Sequence, residues 1–216
     1  MIVLKKYLYY LIPIFTWVLS IILLIVCIIF NNTISAMNMA LSVLIPLLPF
    51  VFVIYKLITK EEMPLLLNVL FCIHIGLCVY GGTIFNLYDK IWFYDLILHG
   101  YFGFLYSLII YYFLLRQNNN MSSHFSIFIS VFIMLGFAAV WECWEYLCDR
   151  ITGGDSQKVI ESINLGKSPL ADTIEDILIA VVGGLIFLIL AYIDYYKKHK
   201  ILKSFVKTKY ISDAKK

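Results

Sequence analysis

Six apolar runs follow one another along this chain, and each is about as long as a bilayer is thick. They occupy residues 8–30, 36–58, 65–87, 96–115, 125–147 and 172–196. A helix rises about 1.5 Å per residue, so ~20 apolar residues carry it across ~30 Å of hydrocarbon. Lipid offers no water to an unpaired backbone amide, which leaves helices and closed barrels as the only spanning structures. Barrel strands would be segments of ~10 residues with alternating polarity, and nothing here alternates over that length. With 62% hydrophobic and only 14% charged residues, and a mean hydropathy of +0.89, a water-soluble domain is excluded. The expected fold is all-α and integral to the membrane, with six helices in one bundle.

Sidedness follows from the basic residues. With a cytoplasmic N-terminus, the cytoplasmic set is Lys5, Lys6, Lys56, Lys60, Arg116 and the lysines at 197, 198, 200, 203, 207, 209, 215 and 216. That is thirteen of the seventeen, leaving Lys90, Arg150, Lys158 and Lys167 outside. The positive-inside rule then places both termini in the cytoplasm of a bacterial cell membrane. The first run is too long for a signal h-region and reads as a retained span. Residues 1–60 are expected to form two peripheral spans, the second kinked by Pro46 and Pro49. Residues 61–196 form a four-helix core, and 197–216 a basic tail. A juxtamembrane lysine run is an orientation signal beside anionic lipid, so the expected partner is the bilayer and not nucleic acid. The five cysteines form no CxxC pair and read as packing residues.

The acids are less evenly spread. Ten of fourteen carboxylates fall on the outer side, several of them inside the apolar runs. An acid near a span's centre costs roughly 2.5–3.5 kcal/mol, so it tends to mark function. Asp95 and His99 are four apart; Glu142, Glu145 and Asp149 follow in steps of three and four; Asp172 and Asp176 are again four apart. Such steps put each group on one helix face. Counted from the span ends, three helices deliver His99, Glu142, Glu145, Asp172 and Asp176 to one outer-leaflet layer. Small residues lie beneath: Gly103 below His99, Ala138 below Glu142, Ala180 and Gly183 below Asp176. They predict a close helix crossing under the acids. The opposite half of these spans reads as apolar, with no path through.

Five acids with one histidine and few cations must share protons or bind a cation. Carboxylate and imidazole ligands suit a divalent metal: zinc, manganese, iron or magnesium. In the metal reading, His99, Glu142, Glu145, Asp172 and Asp176 hold the cation and Asp95 orients His99. Glu142, Glu145 or Asp95 then serves as the general base toward a metal-activated water. The alternative is a structural proton-sharing cluster. His74, in the third run, reads as a histidine hydrogen-bonded to a neighbour. The loop from Asp149 to Leu170 either gates the site or merely connects two spans.

At these residues the chain resembles the YjdF-like family of bacterial inner-membrane proteins. The matching pieces are Tyr94-Asp95-x-x-x-His99-Gly100, Glu142-x-x-Glu145, and Asp172-Thr173-x-x-Asp176 followed by Gly183. The resemblance covers about residues 70–190, and the tract from Ser162 to Leu170 departs from the family's glycine- and aromatic-rich one. A looser likeness, to VanZ-like membrane proteins, rests on the Asp-x-x-x-His element and later acidic helix residues. Both resemblances imply a shared membrane site, and neither names a reaction. The leading expectation is a cation-dependent membrane enzyme acting on a lipid-linked or envelope substrate. The alternatives are an ion- or proton-coupled transporter and a non-catalytic lipid- or antibiotic-binding protein.

Overall fold

The structure is a computed structural model that describes residues 2–31, 36–117 and 121–197. The tail at 198–216 and most of the polar turn at 117–120 lie outside the described residues. Among the described residues the chain is helical, with no strand. Six segments are long and apolar enough to cross a membrane: Tyr7–Phe30, Asn38–Thr59, Leu65–Ile84, Tyr94–Arg116, Ser123–Thr152 and Ala171–Tyr196. These are the six runs read from the sequence, so the six-span helical fold is borne out. The chain forms two compact units, one ending at Leu98 and the other beginning at His99.

In the first unit, α1 (Ile2–Asn31) packs on α2 (Ala36–Leu44) and α4 (Leu65–Gly76). Polar side chains reach across these helices to backbone carbonyls. The Tyr9 hydroxyl donates to Phe52 O at 2.7 Å, Trp17 Nε1 to Val43 O at 3.1 Å, and Asn68 Nδ2 to Tyr9 O at 3.2 Å. Between membrane helices each such bond is worth about 0.6–2 kcal/mol. The second span is broken where expected: α2 ends at Leu44, a 3₁₀ turn covers Ile45–Leu47, and α3 runs Phe50–Thr59. Pro46 and Pro49 have no N–H to give to a continuous helix, so the ladder cannot run through them. The third span changes pitch instead. After α4 it winds as a π-helix over Leu77–Ile84, before the short α5 (Leu87–Lys90). Gly81 and Gly82 sit in that wide turn because a Cβ would strike the Tyr94 hydroxyl or the Tyr88 ring. Tyr94 donates from the same hydroxyl to Leu77 O at 2.8 Å. His74 is buried one turn before, with Nε2 3.8 Å from Cys78 Sγ, as a histidine meeting its helical neighbour.

The helix α6 (Tyr94–Gln117) is unbroken and enters the second unit at His99. That unit continues with α7 (Ser123–Thr152), the short α8 (Val159–Asn164) and α9 (Ala171–Tyr196). Ser122 caps α7, its Oγ accepting from Phe125 N at 3.2 Å, and Gly153 ends it at φ +72°, a conformation that suits glycine. Helix α9 is the centre of the unit because both its buried faces are lined by small residues. One face meets α6 so closely that a Cβ on Gly103 would strike the Ala180 carbonyl, and one on Gly183 the Gly100 carbonyl. The other face sets Gly184 against Val131 and Met134 of α7. The crossing expected beneath the acids is therefore present, with backbone against backbone.

Candidate functional site

Directly above that crossing, His99 and Asp176 meet. His99 Nε2 lies 3.6 Å from Asp176 Oδ2, and their side chains are 13% and 2% exposed. The encounter follows from the small residues: once Gly103 lies against Ala180, His99 and Asp176, one turn earlier on each helix, are in side-chain reach. Asp95 opens α6 one turn before His99, so helical geometry stacks the two. One ligand atom each from Asp95, His99 and Asp176 lie within 4.8 Å of one another. Among the described residues this is the group of histidine, cysteine and acid side chains that could hold a metal ion. Two carboxylates and an imidazole are a donor set that a divalent cation accepts.

The other acids stand around this group in distinct roles. Glu142 is 5% exposed on α7, and its backbone carbonyl accepts from Gln157 Nε2 at 3.2 Å. The same Gln157 nitrogen donates to Thr173 Oγ1 at 3.1 Å. That bridge ties the Glu142 turn of α7 to the first turn of α9. Glu145 accepts from Trp141 Nε1 at 2.8 Å on the partly exposed side of α7. Asp172 is engaged by Lys158, Nζ to Oδ1 at 3.3 Å, with side chains 20% and 13% exposed. Glu142, Glu145 and Asp172 are thus not members of the close group, whereas Asp95, expected only to orient His99, contributes an atom of its own.

The loop from Asp149 to Leu170 is built on its own acids. Asp149 Oδ1 and Oδ2 accept from the backbone N–H of Ser156 and Gln157 at 2.7 and 3.0 Å. Asp155 accepts from Ile160 N and Glu161 N, which caps α8. Lys158 adopts φ +45°, left-handed backbone that a lysine seldom takes, and from it reaches Asp172. Further out, Lys167 and Glu175 pair at 3.2 Å, both about half exposed. A merely floppy connector would not carry this many specific bonds.

Two residues escaped the sequence reading. Gln157 sits in a polar loop and shows no local signal, because its two partners lie 15 and 16 positions away. Asp194 had a signal: it is an acid within the sixth run, three positions after the small Ala191. It is fully buried, so the half of the second unit away from the cluster is not wholly apolar, as had been expected.

The comparison with known families matches the model described as "Predicted membrane protein (DUF2238)" over residues 13–197. The chain belongs to that family. The match takes in most of the first span and all of the other five, and the family includes YjdF-like proteins, which bears out the resemblance. No curated protein and no solved structure matches the chain. This DUF2238 chain is a multi-pass membrane protein with a partly buried Asp–His–Asp group near one end of α6 and α9.

Proposed function

We propose that this DUF2238 protein is a cation-dependent enzyme of the bacterial cytoplasmic membrane, acting at the outer leaflet on a lipid-linked or envelope substrate. The observation that carries the reading is the convergence of Asp95, His99 and Asp176 ligand atoms within 4.8 Å, with Asp176 buried and the other two partly exposed. Two carboxylates around one imidazole at membrane depth are costly unless a cation or protons offset their charge. A divalent ion, whether zinc, manganese, iron or magnesium, would be held by these three side chains. It would supply Lewis acidity and an activated water. Glu142, buried on the neighbouring helix, is the acid best placed to act as general base, with Glu145 at the rim of the layer. Asp172, held by Lys158, tunes the charge above Asp176.

The test is elemental analysis of the purified protein beside Asp176→Asn and His99→Gln. Stoichiometric divalent metal in the wild type and its loss in both variants is the expected result. A wild type that stays metal-free after incubation with each of the four ions, and melts at the same temperature with and without chelator, overturns it.

A further inference from the structure

The second unit carries a line of buried polar groups that the cation reading does not use. On α6, His99, Gly103, Ser107 and Tyr111 recur every four residues and share one face. Ser107 and Tyr111 lie about 12 and 18 Å beyond His99 along the helix. They are 0% and 1% exposed, and neither hydroxyl makes a hydrogen bond among the described residues. On α9 the matching residues are Asp176, Ala180, Gly184, Phe187, Ala191 and Asp194, in steps of three and four and all of them buried. The two faces touch: Ser107 Oγ stands 3.7 Å from where a Gly184 Cβ would be, and the Tyr111 and Phe187 rings lie 5.7 Å apart. Asp194, 0% exposed, closes the line about 27 Å along α9 from Asp176.

A buried hydroxyl left unmet costs about 1–3 kcal/mol, and protein interiors meet such groups with ordered water. An acid within a span marks ion and proton paths more often than packing. We propose that the α6–α9 seam is a hydrated proton relay joining the His99–Asp176 end of the unit to Asp194. In each step a hydroxyl or water oxygen accepts a proton on one side and releases its own on the other. Every oxygen is regenerated, one proton moves, and no reactant beyond water is consumed. The relay does not rest on a bound cation.

The experiment places the full chain in liposomes containing a pH-sensitive dye and drives protons with a potassium diffusion potential. The wild type is expected to pass protons faster than protein-free vesicles. Asp194→Asn and Ser107→Ala are each expected to lose that flux, while Ser130→Ala keeps it, since Ser130 Oγ already donates to Ile127 O on α7. Should Asp194→Asn fail to fold, Ser107→Ala and Tyr111→Phe decide, because each removes a single hydroxyl. Wild-type vesicles that conduct no faster than empty ones, or a folded Ser107→Ala protein that conducts like the wild type, overturn the proposal.

Discussion

Gly183 and Gly136 both sit within membrane helices, yet substitution should move stability in opposite directions. A Cβ on Gly183 would strike the Gly100 carbonyl and Phe104 N, whereas one on Gly136 meets nothing within 4 Å. Forcing the α6–α9 backbones apart is overpacking, worth about 1–3 kcal/mol against the fold. Removing a mid-helix glycine in open space instead favours the helix by about 0.5–1 kcal/mol. Gly183→Ala is therefore expected to melt below the wild type in detergent and Gly136→Ala at or above it. If both variants melt alike, the crossing is not a backbone contact. The same crossing supports His99 and Asp176, so Gly183→Ala should also weaken any metal retained by the protein.

The loop between α7 and α9 shows how acids on the outer side can build an element of structure. Asp149 and Asp155 spend their carboxylates on backbone N–H groups, and Gln157 ties the Glu142 turn to Thr173. Removing the Asp155 side chain uncaps α8, a loss of about 0.5–2 kcal/mol. In Asp155→Ala the amides of Ile160 and Glu161 should exchange with deuterium faster than in the wild type, while α7 and α9 keep their protection. Gln157→Ala loses two neutral hydrogen bonds, each worth about 0.5–1.5 kcal/mol net. Its effect should extend into the first turn of α9. Unchanged exchange at Thr173 and its neighbours in Gln157→Ala would show that the bridge does not hold the two helices in register.

At the scale of the whole molecule, the distribution of basic residues about the six candidate spans predicts that both termini face the cytoplasm. A reporter that works only in the cytoplasm should be active when fused after Lys216. In intact cells, an impermeant thiol reagent should label a cysteine introduced at Ser156, in the partly exposed loop, and spare one at Ser204. The reverse pattern would place the Asp–His–Asp end at the cytoplasmic face and remove an outer-leaflet substrate from consideration.

The spans, the proline break and the small-residue crossing were legible in the sequence because their causes are local. Run length, the missing N–H of Pro46 and Pro49, and the four-residue steps from His99 to Gly103 and from Asp176 to Ala180 can all be counted along the chain. The pairing of Asp95 with His99 was legible for the same reason. Which of the remaining acids would join them was not. Glu142, Glu145 and Asp172 all sit at the right depth, but membership depends on how each helix is rotated about its axis and on what else reaches its carboxylate. Trp141 engages Glu145 from the same helix, and Lys158 engages Asp172 from a left-handed turn held by Asp149. Asp194 lay in plain view as an acid in an apolar run. Only the packing of α6 against α9 set it at the end of a line of buried hydroxyls, because burial is a property of two helices and not of one.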